Sequence, residues 1–480
     1  MRIVLTPEEM RLTEKAAPVS TFALMENAYT EAAKRLPAGK TVYFACGKGM
    51  NGGDGFGAAA RYQEKGTAVV LRVPEEEEIF GDAKAEYEAC RHAGCAIVVP
   101  DALAQLPAPD IWVDALFGIG LSRPVEGVYE EIISRILSDR ERGSRVVALD
   151  IPSGICAQTG SALGAHVRAD ETYCFGFLKP GHILSDGCEA SGAVSVCDIG
   201  VPAPENPPRL AETEDALHFL PKRARNTHKG TYGHLLVWAG AFGMAGAAHL
   251  CALAALRSGA GLVTVACPER IVPILQAAVP CAMCIPLPED KAAARDVFAA
   301  SLRGKSAVAA GCGLSQHADA ELLRALLQSG LPAVLDADAL NILSRNGELL
   351  PLLSNRHVIT PHPGEAARLL QRPCGDTIRD AKALCALGCV ALLKGATSII
   401  CGQHITFSAS GTPAMAKGGS GDVLTGMIGA FLAQGMPPED AAWCASELHG
   451  RAGEIASQRT GEYALLATDL IVSLPEAFRP

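Results

Sequence analysis

Thr41-Val42-Tyr43-Phe44-Ala45-Cys46 runs directly into Gly47-Lys48-Gly49-Met50-Asn51-Gly52-Gly53-Asp54-Gly55. The first six residues are mostly apolar and read as a buried strand. Five glycines in the next nine residues read as a loop. Phe56 to Lys65 then reads as a helix closed by Gly66. Strand, glycine-rich loop, helix is the phosphate-binding arrangement of doubly wound sheets. The loop is longer than GxGxxG and spaced differently, so the ordinary dinucleotide grip is not expected. The competing reading is a tight turn that needs positive φ.

The rhythm continues on both sides. Upstream, Thr6 to Ala17 and Phe22 to Leu36 read as helices separated by Pro18. Downstream, Ala68 to Val73 and Cys95 to Val99 read as strands around a helix from Ile79 to Ala93. Ile111 to Gly118 is a further strand, and it ends in a second glycine loop, Gly118 to Pro124. A helix from Val128 to Arg140 precedes Val146-Val147-Ala148-Leu149-Asp150-Ile151-Pro152-Ser153-Gly154. Asp114 and Asp150 thus fall at C-terminal ends of parallel strands, the edge where open α/β sheets bind ligands. Either could instead cap a turn. Asn51, Asp114 and Ser153 offer hard oxygens suited to a monovalent or divalent cation.

The chain has 480 residues, 49% of them apolar and only 5% aromatic. Two or three α/β domains are expected. A net charge of −10 argues against a nucleic-acid or anionic-membrane surface. Met1 to Ala17 carries charge throughout, and no run of about 18 apolar residues occurs, so a soluble cytoplasmic protein without a leader is expected. Seventeen scattered cysteines fit reduced thiols. The lone Cys281-Ala282-Met283-Cys284 reads as core packing in preference to zinc or redox chemistry.

Proline-dense Val201 to Pro208 reads as a linker. The basic run Lys222 to Gly233 reads equally as a solvated face or a nucleotide-facing segment. Beyond it, His234 to Ala239, Leu262 to Ala266, Ser306 to Ala310, Ala333 to Asp336, His357 to Thr360 and Cys389 to Leu393 read as strands. Their ends present Gly311 to Leu314, Asp336, Asp338, His362 and Lys394, which outlines one cleft. Lys417-Gly418-Gly419-Ser420-Gly421-Asp422 then feeds an apolar helix from Val423. Such a helix mouth suits a phosphoryl group in flight, and Asp422 is either its base or an N-cap. No Walker A motif is present.

LMENA at Leu24 to Ala28, MNGGDG at Met50 to Gly55, VDALFGIGLSRP at Val113 to Pro124 and DIPSG at Asp150 to Gly154 resemble the YjeF N-terminal family. The resemblance covers residues 1–205 and implies a Rossmann-like doubly wound sheet that epimerises NAD(P)HX, the hydrated form of NAD(P)H. It implies a substrate site at Met50, Asn51, Gly52, Gly53 and Asp54, at Gly118, Ile119, Gly120, Leu121, Ser122, Arg123 and Pro124, and at Asp150. It also implies a potassium ion at Asn51, Asp114 and Ser153. Asp54 or Asp150 would move the proton or steady a developing cation, and the sequence does not choose between them. Lys179, in Phe177 to Gly181, would contact the substrate or be exposed.

NTHKGTYG at Asn226 to Gly233, AGCGL at Ala310 to Leu314, TPHPGE at Thr360 to Glu365, LLKGATSI at Leu392 to Ile399 and GTPAMAKGGSGDVLTG at Gly411 to Gly426 resemble the YjeF C-terminal family. Over residues 210–480 this implies a ribokinase-like α/β domain that dehydrates S-NAD(P)HX with ADP or ATP and magnesium. The resemblance puts Lys394, Gly395, Ala396, Thr397, Ser398 and Gly421 on the nucleotide, and Ala247, Gly313, His362 and Asp422 on the hydrated dinucleotide. Small-molecule substrates (NADHX, NADPHX, ADP, ATP) and a homo-oligomer are expected, without nucleic acid or membrane. The rival expectation is a vitamin or sugar kinase carrying a non-catalytic N-terminal binding module.

Overall fold

The computed structural model describes residues 1–315 and 317–479; Pro480, the last residue of the expected second domain, lies outside them. The chain divides into two compact units, Arg2–Pro207 and Pro208–Pro480, the latter joined by Met1.

In the first unit β1 (Thr41–Cys46), β2 (Thr67–Arg72), β3 (Ala96–Val98), β4 (Ile111–Ala115), β5 (Arg145–Leu149), β6 (Glu171–Phe175) and β7 (Ala193–Cys197) form one sheet in the order β3-β2-β1-β4-β5-β6-β7. Every neighbouring pair is parallel. The central strands are buried on both faces, which is why they read as continuous apolar runs. The strand order reverses between β1 and β4, so the loops that follow those two strands splay apart and open a crevice. Thr6 and Glu9 close a capping box that starts helix Pro7–Lys15, with Pro7 in the first turn. That helix brings Arg11 and Glu14 to the same crevice.

The helix after β1 starts at Met50 and runs to Tyr62, six residues earlier than the glycine content suggests. None of Gly47, Gly49, Gly52, Gly53 or Gly55 has positive φ, so a turn geometry is not what they serve. A Cβ on Gly52 would run into the Gly47 carbonyl, and one on Gly53 would lie 2.7 Å from Met25 Cε. These glycines let a helix press against its own loop and a neighbouring helix.

The second unit holds β8 (Arg209–Leu210), β9 (His234–Trp238), β10 (Leu262–Pro268), β11 (Met283–Leu287), β12 (Ala307–Ala310), β13 (Ala333–Leu335), β14 (His357–Ile359), β15 (Val390–Leu393), β16 (Ser398–Cys401) and β17 (Ile405–Ser408). Their order is β8-β17-β16-β15-β14-β13-β12-β9-β10-β11. Strands β9 to β15 are parallel, whereas β15-β16 and β16-β17 are antiparallel, a hairpin that the βα rhythm did not announce. The order reverses between β12 and β9. Helix Ser420–Ala433 is buried from Val423 onward, which explains its lack of a polar face. Among the described residues no helix is long and apolar enough to cross a membrane. All seventeen cysteines are free; Cys281 is exposed, so it does not belong to a core as expected.

Candidate active sites

In the first unit a cavity of about 770 Å³ sits at the strand-order reversal. Met50, Asn51 and Asp54 line it from the helix, Gly118 to Arg123 from the loop after β4, and Asp150 from the end of β5. Gly52, Gly53 and Pro124 do not line it. The glycines face the protein for the packing reason given above, and Pro124 lies near Gly164. Arg11, Glu14 and Tyr129 border the cavity too. Sequence reading missed these three because no motif marks them; only the capping box of the first helix fixes where Arg11 and Glu14 point.

Asp54 is 8% exposed. Burial, then the nearby Asp150 and Glu14 charges, push its carboxyl well above the usual carboxylate range. Asp150 sits in the left-handed region at φ 61°, uncommon for a residue with a side chain. Its Oδ1 accepts from Lys179 Nζ at 2.5 Å and from Phe175 N at 3.3 Å. Lys179 is 1% exposed. It is therefore neither a surface group nor a lining residue of this cavity, contrary to expectation. A lysine ammonium so deep in the fold is tolerated because a carboxylate pairs with it.

Behind the cavity Asp114 is fully buried in β4. Its Oδ1 accepts from Ser153 Oγ at 2.6 Å and Leu116 N at 3.2 Å, and its Oδ2 from Ser153 N at 2.7 Å. Burial raises its pKa to about 6 against those bonds. Asn51 Nδ2 donates to Phe117 O at 2.9 Å, and Ser153 Oγ lies 3.3 Å from the same carbonyl. Asn51 Oδ1, however, is buried without a partner. A buried amide oxygen normally finds a donor or a cation. The three expected ligands are therefore clustered, with one oxygen open for an ion.

In the second unit the candidate residues gather around the N-terminus of helix Ser420–Ala433. Gly419, at φ 99°, is the N-cap of helix Ser420–Ala433 and makes no side-chain cap. Asp422 is the third helical residue, so it is not the N-cap. Burial first, then the Asp336 charge, raise its pKa to about 6, while a Cys312 thiol hydrogen bond and Lys394 oppose the rise. Lys394 Nζ pairs with Asp336 Oδ1 at 2.7 Å and lies 4.0 Å from Glu365 Oε2. Thr425 Oγ1 donates to Asp336 Oδ2 at 2.9 Å. A Cβ on Gly421 would lie in ordinary van der Waals contact, 3.4 Å from Asp336 Oδ2 and 3.5 Å from Lys394 Nζ, so the Asp336–Lys394 pair sits directly beside the helix mouth.

A cavity of about 520 Å³ is bordered by His362, Lys394, Gly395, Gly418 and Gly421. Ala396, Thr397 and Ser398 do not border it, and Ser398 opens strand β16. His362 caps helix Pro363–Leu370, its Nδ1 accepting from Gly364 N at 3.0 Å. It is a helix cap that also borders the cavity, not merely a rigid turn. Ala247 stands against Gly313, where a Cβ would lie 2.9 Å from Ala247 Cβ. The basic run Lys222 to Gly233 precedes β9 and so lies at the N-terminal sheet edge, away from Asp422. Arg223 there stacks 4.0 Å over the Tyr232 ring.

Comparison with known proteins matches these two units separately. The family described as YjeF-related protein N-terminus matches residues 19–181, and NAD(P)H-hydrate dehydratase matches residues 235–476. The bifunctional NAD(P)H-hydrate repair enzyme Nnr of Coxiella burnetii is 35% identical over 502 residues, covering 100% of both chains. This chain belongs to the NAD(P)H-hydrate repair family. The family's Escherichia coli K12 member is 34% identical, over 96% of this chain and 88% of its own. A ribokinase-like superfamily protein from Enterococcus faecalis V583 superposes with a TM-score of 0.50 at 25% identity, covering 56% of this chain and 95% of its own. The second unit therefore has the ribokinase-like fold, and the family's two parts correspond to the two sheets described here.

Proposed function

We propose that this chain is a bifunctional repair enzyme: the first unit interconverts R- and S-NAD(P)HX, and the second dehydrates S-NAD(P)HX to NAD(P)H at the expense of ADP or ATP. The observation that carries the reading is full-length kinship with the repair enzymes, together with Asp54 and Asp150 lining the cavity of the first unit and Asp422 in the first turn of the glycine-capped helix of the second.

Hydroxide leaves poorly, so the dehydratase first phosphorylates the hydroxyl. Asp422 takes the hydroxyl proton, for which a pKa of about 6 is well matched near neutrality. The helix mouth supplies unpaired backbone N–H groups at Gly421 and Asp422, aimed where phosphoryl charge builds. Each such donor is typically worth about 3–4 kcal/mol in the transition state. Magnesium entering with the nucleotide neutralises phosphate charge. Phosphate then departs, pushed out by the ring-nitrogen lone pair. Lys394, Gly395 and Gly421 hold the nucleotide, with Ala396, Thr397 and Ser398 shaping the loop behind them. Ala247, Gly313 and His362 hold the hydrate.

In the epimerase unit Asp54 and Asp150 carry the proton chemistry, and Asn51, Asp114 and Ser153 hold potassium, with the unpartnered Asn51 Oδ1 as the open ligand. That ion supplies fixed positive charge beside the loops that receive the dinucleotide. The protein works in the cytoplasm, where these cofactors and nucleotides are.

The test is absorbance at 340 nm on purified R- and S-hydrates with ADP, ATP or neither. Recovery of both epimers with nucleotide and magnesium is expected. A stable phosphorylated product without NAD(P)H would make the second unit a kinase. Normal S turnover with no gain in R turnover over the uncatalysed rate would make the first unit a passive module.

A further inference from the structure

Asp150 is held by an apparatus that substrate binding alone does not require. Its Oδ1 is occupied by Lys179 Nζ, and Lys179 Nζ also donates to Phe175 O at 2.8 Å. His182 accepts from Lys179 N on Nδ1 at 2.9 Å, and its Nε2 lies 2.7 Å from Asp150 O. Those two bonds place the ring hydrogen on Nε2, which donates to the Asp150 carbonyl. Burial holds the imidazole at about 4, so it is neutral in this role. Asp150 N donates to Tyr173 O at 2.8 Å. The left-handed backbone of Asp150, uncommon at a non-glycine residue, is pinned from both ends. With Oδ1 engaged, Oδ2 is directed at the cavity wall, where a Cβ on Gly118 would lie 3.9 Å away.

We propose that Lys179 and His182 are positioning residues that present Asp150 Oδ2 as the base of epimerisation, with Asp54 across the same cavity as the acid. The inference rests on the epimerase reading above and divides its two carboxylates by role. The groups facing Asp150 are Lys179 and His182 from the segment after β6, Cys174 from β6, Cys197 from β7, Asp54 from helix Met50–Tyr62 and Glu14 from helix Pro7–Lys15. Lys179 is the cation in direct contact. Burial pulls its pKa down, yet Asp150 and its other anionic neighbours leave it at about 12, charged throughout the working range. Among the described residues no cation is paired with Asp54; the Lys179 charge opposes the rise in its pKa, but burial and the neighbouring carboxylates outweigh it and keep a proton available.

The chemistry then balances. The hydroxyl-bearing carbon of the hydrate is bonded to the ring nitrogen. Asp150 takes the hydroxyl proton, the oxygen forms a carbonyl with that carbon, and the carbon–nitrogen bond breaks with its electron pair going to nitrogen. Asp54 gives its proton to that nitrogen. Rotation presents the other carbonyl face, nitrogen attacks it, and both protons return. Nothing is oxidised or reduced, and no co-reactant is consumed.

The experiment is the R-to-S rate of the full chain across pH, for wild type, Lys179→Met and Asp54→Asn, with S-hydrate dehydration in the same samples as an internal control. Wild type without epimerisation would sink the epimerase reading itself. Given an active wild type, Lys179→Met is expected to lower kcat by about 100-fold with KM little changed. Its acidic limb should move to higher pH, because the base has lost its cation, while dehydration stays at the wild-type rate. Asp54→Asn should lose the basic limb of the profile. An unmoved acidic limb in Lys179→Met would overturn the proposal even if overall activity falls, since a structural role lowers the amount of active protein without moving the limb. Should Lys179→Met not accumulate as folded protein, Asp54→Asn decides: a retained basic limb overturns the assignment.

Discussion

Two glycine-rich stretches look alike in sequence and are put to different uses. In Gly47 to Gly55 the glycines are spatial: their φ values are ordinary, and what matters is the missing Cβ, which lets the helix lie against the Gly47 carbonyl and Met25. In Lys417 to Asp422 the key glycine is conformational: Gly419 turns the chain at φ 99° into the helix. The aspartates differ accordingly. Asp54 lies in the second turn, where burial keeps its proton on. Asp422 lies in the first turn beside the Lys394–Asp336 pair and titrates at about 6. One arrangement suits an acid, the other a base. Glycine composition alone does not reveal which chemistry a loop supports.

The sharpest way to break this contrast is Asp422→Asn. S-hydrate conversion with ADP, followed at 340 nm, should fall by about 1000-fold or more while R/S interconversion continues. Full-speed conversion would remove the base from the mechanism. Next in size is Gly52→Ala, which forces a Cβ into a backbone carbonyl and should cost the first unit about 3 kcal/mol. Denaturant unfolding should show this loss, with the epimerase lost before the dehydratase. Gly419→Ala should cost about 1–3 kcal/mol through left-handed strain and contact with Leu250, and should raise the nucleotide KM.

Smaller is the pH effect. A base must be a carboxylate to take a proton, and the pKa of Asp422 is raised, so under the proposed mechanism S-hydrate turnover should be full above that value and fall as pH drops through about 6. A plateau extending to pH 4 would contradict the assignment. Asn51→Ala should leave folding intact but weaken potassium activation of the epimerase about tenfold, read as the salt concentration for half activation. The smallest effect belongs to Gly418→Ala, where nothing lies within 4 Å: stability should stay within about 0.5 kcal/mol. A large loss there would mean that the second loop is also packed by its glycines.

Legible in the residues alone are the α/β architecture in two parts, the strand ends that carry Asp114, Asp150 and Asp336, and the loop that carries Asp422. These follow from local rules: apolar runs, glycine punctuation and the ligand edge of parallel sheets are all written within a few residues of one another. Tertiary structure alone decided where the helix after β1 begins, which glycines face protein and which border a cavity, and that Arg11 and Glu14 join a cavity whose other walls are far away in sequence. It also decided that Lys179 answers to Asp150 and Lys394 to Asp336. The physical reason is range. Backbone conformation is set by neighbours in the chain, whereas a lysine withdrawn from solvent pairs with whatever carboxylate the fold brings beside it, and those carboxylates lie 29 and 58 residues away.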